Sequence, residues 1–324
     1  MFISKTPFRV PLAGGGTDLS FYYKKKGGKF LTCSFNQYVY VYGSLRKFSK
    51  NSLIQTTDVE FVKNNSNIKH SLIRETLREF KIKKKIHIGS FSTIPTKTGL
   101  GSSSSFVVGL ISVLLKILNK KMTKIEIYRK AFKIEREILK NAGGWQDQII
   151  ATYGGIQKVE INKKGKIKVK ALKVKKQDIK TFERKALLIF TDEVRESGKI
   201  INEQIKNKEK IYNTYDKIKS KVREFEELFK SKRIKSIGQL FHDHWNLKQQ
   251  LSKNITNDYL DKLYSKLMKS DLFYGGKLIG AGGGGFFLMI SKNKSKAKKY
   301  LRLNNIDYTD FKIELSGSKI IKNL

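Results

Sequence analysis

The sequence is poor in cysteine and proline. Its 324 residues include one cysteine, Cys33, and three prolines. A single cysteine excludes an intramolecular disulfide and leaves no cysteine companions for a zinc site. No proline-rich linker is present, so two domains are expected to pack directly against each other. The hydrophobic fraction of 39% is sufficient for buried cores and argues against wholesale disorder.

Long apolar runs are also missing. The longest extends from Phe106 to Leu118, is interrupted by Lys116, and is too short to span a bilayer. The amino-terminal residues lack the basic segment and apolar run that are typical of a signal peptide. We therefore expect a soluble, cytoplasmic protein that does not associate with membranes.

Acidic residues are scarce relative to basic ones. Asp and Glu total 28 and Lys and Arg total 67, which gives a formal net charge of +39. Such an excess can indicate a nucleic-acid partner. However, the basic residues are spread along the whole chain, and arginine, the better bidentate phosphate ligand, is much rarer than lysine. A nucleic-acid-binding protein is therefore the weaker alternative, and we expect a basic surface that attracts small anions at low salt.

The hydrophobic pattern divides the chain near residue 180. This length suits about two domains, which we place at residues 1–180 and 181–324. In the first, we expect strands over 29–48 and 85–91, helices over 68–80, 103–118 and 123–140, and a hairpin over 159–174. Thr123 and Glu126 fit a capping box. In the second, we expect a strand at 186–191, charged helices to about residue 269, and strands at 286–290 and 308–315.

A glycine- and serine-rich segment precedes the most apolar helix. It contains Pro95, Gly99, Leu100, Gly101, Ser102, Ser103, Ser104 and Ser105. Glycines let backbone amides approach a phosphate, and the following helix directs its free amides and positive dipole end toward the loop. The alternative is a flexible connector that ends in an N-cap serine. The GxxxxGK[ST] motif is absent, which excludes a P-loop NTPase by sequence.

Two further glycine clusters lie near opposite ends of the chain. Residues 280–285 contain more glycines than a tight turn requires, which indicates close approach of another segment or a ligand. The alternative is a sharp loop between domains. Near the N-terminus, Arg9 and Asp18 flank a glycine turn, where they can place a guanidinium near a phosphoryl group and a carboxylate near sugar hydroxyls. The alternative for Asp18 is an N-cap of the next helix.

Taken in their order along the chain, the three segments resemble the signature motifs of the GHMP kinases, the superfamily of galactokinase, homoserine kinase, mevalonate kinase and phosphomevalonate kinase. The resemblance extends from Thr6 to Phe286 and is most specific in the PxxxGLGSS string. It implies an ATP-dependent phosphotransferase that acts on an alcohol. It also implies a two-domain α+β fold, with an N-terminal ribosomal-protein-S5-like α/β domain and a C-terminal ferredoxin-like α+β domain.

The resemblance implies roles for individual residues. Asp147, which follows the glycines of the GGWQDQ segment, matches the general base of the superfamily, and Arg9 would assist it. ATP would be bound by the loop from Pro95 to Ser105, and Mg²⁺ by Ser103 and Glu135. Substrate contacts are implied for Asp18, Gly15, Gly16, Thr17, Gly144, Gly282 and Gly283. The alternatives are a helix-capping role for Asp147 and an ordinary solvated charge for Glu135.

Three strings are similar to the branch of the superfamily that phosphorylates heptose 7-phosphates, namely TPFRVPLAGGGTD, GGWQDQ and HWNLK. This similarity implies transfer to the anomeric hydroxyl of D-glycero-D-manno-heptose 7-phosphate. The phosphate of that sugar would need a cation, for which Arg195 and then Lys248 are the candidates, although Asp192 stands where the branch usually has glycine. The alternatives are a fucose- or galactose-type kinase, a mevalonate- or homoserine-type kinase, and a non-catalytic ligand sensor.

Overall fold

A computed structural model describes residues 1–95, 98–193 and 197–323. Its strands are β1 Phe2–Ala13, β2 Gly28–Leu45, β3 Ser52–Gln55, β4 Val59–Val62, β5 Ile86–Ser92, β6 Ile156–Ile161, β7 Ile167–Ala171, β8 Ala186–Phe190, β9 Phe273–Leu278, β10 Phe286–Ser291, β11 Tyr308–Asp310 and β12 Lys319–Asn323. Its α-helices are α1 Ser20–Lys26, α2 Ser71–Glu79, α3 Ser102–Ile117, α4 Lys124–Phe132, α5 Gln146–Tyr153, α6 Lys176–Glu183, α7 Ser197–Lys206, α8 Lys208–Lys230, α9 Ile234–Gln249, α10 Asp258–Lys269 and α11 Lys294–Leu303. A π-helix occupies Lys133–Ile138, and 3₁₀-helices occupy Asn65–Asn67 and Lys253–Ile255.

The first sheet is organised around the long strand β2. The strand order is β12–β1–β2–β5–β3–β4, and β6 also pairs with β2 and then with β7. One strand can serve three neighbours because β5 pairs with residues 39–45 of β2 and β6 pairs with residues 28–33. The pairs are antiparallel, except that β3 runs parallel to β5. The segment rich in β-branched and aromatic residues, for which a strand was predicted over 29–48, therefore forms β2.

Helix α3 crosses β1 and β2 and is largely buried. Gly109 allows this close approach, because a Cβ atom there would lie 2.8 Å from Oγ1 of Thr6 in β1. At the start of the helix, the Ser105 hydroxyl donates a hydrogen bond of 2.9 Å to the carbonyl of Pro7. The N-terminal end of α3 is thereby held beside the middle of β1. Within the three described ranges, no helix combines the length and apolar character needed to cross a membrane.

The second sheet has the order β11–β8–β10–β9 and is antiparallel throughout. Helix α9 packs against β9, where two glycines bring the backbones together. A Cβ atom on Gly275 would lie 2.3 Å from the carbonyl oxygen of Gly238. The buried face of α9 is consequently placed against β9.

The last strand returns to the first sheet, since β12 pairs antiparallel with β1. The hydrophobic core is continuous across both halves of the chain. One cluster of buried residues joins β1 and α3 to β8, β10, α8 and α9. The proposed boundary at residue 180 falls within α6, and the division into residues 1–180 and 181–324 stays a prediction.

The structure differs from two secondary-structure predictions. The helix expected to reach residue 140 starts with the predicted capping box at Thr123 and Glu126, but changes to the π-helix after Phe132. The final strand was expected at 308–315, whereas β11 ends at Asp310 and β12 follows it. Hydrophobic periodicity does not reveal a π-helix, and the short lysine-rich β12 has little apolar pattern. Strand β1 was also missed, because Pro7 and Pro11 lower its strand propensity; the β1–β2 register shifts next to both.

Candidate active site

A cavity of about 710 Å³ lies between the two halves of the molecule. It is lined by parts of β1, the start of α3, the first turn of α5, one face of α9 and the end of β9. The predicted site residues in its lining are Arg9, Gly15, Gly16, Asp18, Gly99, Gly101, Ser102, Ser103, Ser104, Glu135, Gly144, Asp147 and Lys248. Other predicted residues lie outside this lining, namely Pro95, Leu100, Ser105, Thr17, Gly282 and Gly283. Arg195 falls outside the described residues.

The loop before α3 has the geometry of an anion site. Gly99 and Gly101 have φ values of 74° and 78°, which favour glycine. Ser102 then opens α3, so the free amides and positive end of this 16-residue helix face the cavity. Leu100 is buried, and its carbonyl accepts a 3.1 Å hydrogen bond from the backbone N–H of Arg9. The loop is therefore fixed to β1.

Arg9 and Asp147 form a forked ion pair beside this loop. Nε of Arg9 lies 2.6 Å from Oδ1 of Asp147, and Nη2 lies 3.2 Å from Oδ2. Nη1 of Arg9 also donates to the carbonyl of Gly99. Gly101 leaves room for the pair, because a Cβ atom there would lie 3.1 Å from Cγ of Arg9 and 3.2 Å from the Asp147 carboxylate. Helix α5 has Trp145 as its N-cap, so Asp147 does not cap it.

Asp18 is buried next to the start of α5. Its side chain is 5% exposed and accepts a 2.9 Å hydrogen bond from the backbone N–H of Gln146. Burial, together with the nearby Asp147 carboxylate, raises the pKa of Asp18 above its usual value. The N-cap of α1 is Leu19, so the capping alternative for Asp18 does not hold.

The glycines around Asp18 permit close packing. A Cβ atom on Gly144 would lie 2.1 Å from Oδ2 of Asp18, and one on Gly16 would lie 2.7 Å from the ring of Tyr215. Thr17 points away from the cavity. It is fully buried, with its hydroxyl 2.8 Å from the carbonyl oxygens of Gly14 and Lys29. Thr17 thus braces the turn that carries Asp18.

Glu135 lies in the π-helix and is fully buried. Its carboxylate accepts hydrogen bonds of 2.6 Å from Ser103, 2.7 Å from Ser104 and 2.6 Å from the Gln148 amide. The solvated-charge alternative is therefore excluded. Serine and carboxylate oxygens are the hard ligands that Mg²⁺ accepts, so this donor set fits such an ion. In the described part of the chain, no group of three or more His, Cys, Asp or Glu side chains forms a metal site.

The late glycine cluster contacts the first half of the molecule through two of its members. A Cβ atom on Gly280 would lie 2.6 Å from the carbonyl oxygen of Gly99, and one on Gly285 would lie 2.1 Å from that of Thr98. Gly282 lies against Ile255 instead, and the N–H of Gly283 donates to the Ile255 carbonyl at 2.8 Å. The cluster therefore packs against the loop before α3.

A cationic end of the cavity was only partly found from the sequence. Lys248 donates to the carbonyls of Leu278 and Gly280 at 2.9 and 2.8 Å. Burial, with the nearby positive charge of Arg9, lowers the pKa of Lys248 to about 7. His244 and Lys277 line the same end and were missed. The sequence signal for His244 was its position one helical turn before Lys248 on a predicted helix. No sequence pattern indicated Lys277.

Another part of the lining is richer in apolar and aromatic groups. It includes Thr56, Thr57, His70, Leu72, Phe91 and Phe106. The rings of His70 and Phe106 have centroids 5.3 Å apart, and burial lowers the pKa of His70. Such a surface suits a planar heterocyclic base. Sequence reasoning missed it because these residues come from separate strands and helices that share no motif.

Comparison with known proteins identifies the family. The profile for the GHMP kinases N terminal domain matches residues 67–155, and that for the GHMP kinases C terminal matches residues 225–303. The D-glycero-alpha-D-manno-heptose 7-phosphate kinase of Campylobacter jejuni is 31% identical over 333 residues, covering 98% of this chain and 97% of that protein. A bifunctional fucokinase/GDP-fucose pyrophosphorylase of Arabidopsis thaliana is 30% identical over 238 residues, or 70% of this chain and 22% of that protein.

A solved structure extends this likeness to the whole fold. The crystal structure of a D-glycero-D-manno-heptose 1-phosphate kinase from Bacteroides thetaiotaomicron superposes with a TM-score of 0.84 and 22% identity, covering 100% of both chains. The chain belongs to the GHMP kinase family. It is an ATP-dependent kinase, and the predicted α+β GHMP fold is confirmed.

Proposed function

We propose that this kinase transfers the γ-phosphoryl group of ATP to the anomeric hydroxyl of D-glycero-D-manno-heptose 7-phosphate, which gives the 1,7-bisphosphate. The observation that carries the proposal is the Arg9–Asp147 pair. Arg9 donates to the carbonyl of Gly99 in the loop of residues 98–101 before α3, here called the phosphate loop, and Gln146, next to Asp147 in the chain, donates to the buried Asp18. The relationship to the heptose 7-phosphate kinase of Campylobacter jejuni supports this choice of sugar.

Asp147 would accept the proton of the attacking hydroxyl. The fork with Arg9 fixes the orientation of the carboxylate, and each oxygen keeps a lone pair for the substrate. A positioned base of this kind contributes about 10²–10⁴ in rate. The Arg9 guanidinium also contacts Gly99 of the phosphate loop, so its charge lies where negative charge is redistributed during phosphoryl transfer.

The nucleotide phosphates would lie on the loop at the start of α3. The free amides near Ser102 would bind them, and Ser103 and Glu135 would hold Mg²⁺. When bound, Mg²⁺ would neutralise negative charge on the phosphate oxygens. The base of ATP would occupy the end of the cavity that His70 and Phe106 line.

Sugar hydroxyls would contact Asp18 and Gln146. Nε2 of Gln146 is buried without a hydrogen-bond partner among the described residues, and Gln146 lines the cavity next to Asp18. A buried amide without a partner is costly, so a substrate hydroxyl at this point would be favourable. Gly15, Gly16 and Gly144 line the cavity beside Asp18, so their backbones would lie close to the sugar ring.

A fucose- or galactose-type substrate is the second candidate, and the similarity to the Arabidopsis fucokinase favours it. The two are separated by following ADP release with ATP and Mg²⁺ across heptose 7-phosphate, heptose, fucose and galactose, with Asp147→Ala as control. We expect turnover on heptose 7-phosphate that the substitution abolishes. Preferred turnover on an unphosphorylated hexose would refute the proposed substrate and support the second candidate.

A further inference from the structure

Three buried basic side chains line one end of the cavity. His244 and Lys248 lie one turn apart on α9 and share a face of the helix, and Lys277 lies near the end of β9, against which α9 packs. Their exposed fractions are 5%, 7% and 1%. Charged or titratable groups are seldom buried to this extent without partners.

The cluster has donors that the protein itself does not use. In the described part of the chain, no ion pair joins these three side chains to a carboxylate. Lys277 donates one hydrogen bond, of 2.6 Å, to the carbonyl of Leu12, and Lys248 donates two. A neutral lysine amino group has two N–H groups and a protonated one has three. Lys277 therefore keeps at least one N–H without an acceptor, although its amino group also lies 4.7 Å from the centroid of the Phe241 ring, and Lys248 keeps one when it is protonated. Neither ring nitrogen of His244 has a partner among the described residues.

The electrostatics of the cluster favour an anion. Burial and the positive charges of neighbouring lysines lower the pKa of His244 well below its usual value. Burial and Lys248 have the same effect on the pKa of Lys277. Bound negative charge would relieve both penalties, since it compensates for lost hydration and for the repulsion between the basic groups. The unused donors therefore point to a ligand with several acceptor oxygens.

We propose that His244, Lys248 and Lys277 bind the phosphate ester of the sugar substrate and determine the preference for a phosphorylated sugar. The inference rests on the proposed function and deepens it, because His244 and Lys277 become specificity-determining residues. The cluster lies near Arg9, which is paired with Asp147, and its members come from α9 and β9, whereas His70 and Phe106 lie at the start of α2 and in α3. A sugar whose anomeric hydroxyl meets Asp147 would therefore present its distal phosphate to these three groups.

The first test compares the variants Lys277→Met and His244→Gln with Lys221→Met as a matched control. Lys221 lies on α8, forms ion pairs with Glu224 and Asp243, and is not part of the cavity lining. We expect KM for heptose 7-phosphate to rise about 10- to 100-fold in the two cavity variants, as for loss of a charge-assisted hydrogen bond. KM for ATP, KM for unphosphorylated heptose, and all constants of the control should stay within about 2-fold.

Two results would overturn this assignment. Equal increases in KM for the phosphorylated and the unphosphorylated heptose would show that the cluster only supports the fold. An increase in KM for ATP with no change in that for heptose 7-phosphate would assign the cluster to the nucleotide. Because Lys277→Met removes a buried, hydrogen-bonded amino group, His244→Gln provides the same readout if the first variant does not fold.

The second test does not depend on turnover. The chain contains four histidines, so the imidazole NMR signals can be assigned with His244→Gln. Inorganic phosphate is added in the presence of a saturating non-hydrolysable ATP analogue. We expect the His244 signals to shift, and at least about tenfold more phosphate to be required in Lys277→Met. Unchanged His244 signals would refute the anion site. A shift in a protein that phosphorylates no sugar would refute the proposed function but support the site.

Discussion

Single residues from distant parts of the chain meet within hydrogen-bond distance in the cavity. Arg9 from β1 and Asp147 from α5 form the forked pair, and Asp18 accepts from the backbone of Gln146. Gly144 packs directly against Asp18. The position of the Asp18 carboxylate therefore requires glycine, which has no side chain, at residue 144.

The substitution Gly144→Ala should displace Asp18, because the new Cβ would lie 2.1 Å from its Oδ2. We expect kcat/KM for the sugar to fall about 10- to 100-fold, as for a misplaced substrate-binding group. Steady-state kinetics measure this. The control is Gly198→Ala, since a Cβ there has no heavy atom of the described residues within 4 Å. Undiminished kcat/KM in Gly144→Ala would show that Asp18 does not position the sugar.

Lys248 should give a pH-dependent contribution to stability. Its pKa in the folded protein is about 7, whereas an unfolded lysine titrates near 10.4. Between these values the unfolded state binds more protons, so this group makes the free energy of unfolding rise with pH. Arg9, Lys277 and His244 are the basic groups around it.

Urea unfolding of the wild type and of Lys248→Met from about pH 7 to about pH 10 isolates this contribution. The free energy of unfolding of the wild type minus that of the variant should increase as pH rises across this window. A constant difference between the two proteins would mean that the pKa of Lys248 is not lowered. The Lys221→Met variant should show the wild-type pH dependence.

The sequence could predict those site residues that belong to family motifs. Arg9, Asp18 and Asp147 occur in such strings, the family resemblance also implied Glu135, and the structure brings all four to the cavity. Lys277 could not be predicted, because a single lysine at the end of an apolar strand has the pattern of an exposed residue. Its burial results from the packing of α9 and β1 around β9, where its amino group reaches the carbonyl of Leu12.

At the scale of elements, two loops from opposite halves of the chain support each other. Gly285, with a φ of 102°, lies against the carbonyl of Thr98 in the phosphate loop. Gly165, with a φ of 80°, lies in an exposed hairpin turn where a Cβ would meet only Tyr23, at 3.8 Å. An alanine would strain the backbone at both positions, but it would collide with a neighbouring segment only at Gly285.

The substitution Gly285→Ala should raise KM for ATP at least about tenfold, because a Cβ located 2.1 Å from the Thr98 oxygen must move the phosphate loop. The substitution Gly165→Ala should cost about 1 kcal/mol in stability and leave KM unchanged. Kinetics and thermal unfolding of both variants measure this. If Gly285→Ala and Gly165→Ala had the same KM for ATP, the late glycine cluster would have no supporting role for the loop.

Elements with strong local patterns were predictable, and those defined by tertiary context were not. The apolar helix α3 and the strand β10 follow directly from hydrophobic pattern. The π-helix carries Glu135, whose buried carboxylate accepts hydrogen bonds from Ser103, Ser104 and Gln148. These partners belong to other helices, so the local sequence around Glu135 does not reveal them. Strand β12 forms because β1 offers it an open edge.

At the scale of the whole molecule, the net charge of +39 should assist capture of anionic substrates. We expect KM for heptose 7-phosphate to rise several-fold between about 50 and about 300 mM NaCl, because salt screens this attraction. KM for unphosphorylated heptose at saturating ATP should change little. Equal salt dependence for both sugars would show that the surplus lysines play no part in substrate capture.

Asp147, the loop before α3 and the basic cluster of His244, Lys248 and Lys277 all line the same cavity. The central claim is that Asp147 activates the anomeric hydroxyl of the sugar phosphate. The most direct measurement compares Asp147→Asn with the wild type on heptose 7-phosphate, with phosphorus NMR to locate the new phosphate. The account predicts a product phosphorylated at the anomeric carbon and a kcat about 10²–10⁴ lower in the variant, with similar KM for ATP. An unchanged kcat, or phosphate on another hydroxyl, would contradict it.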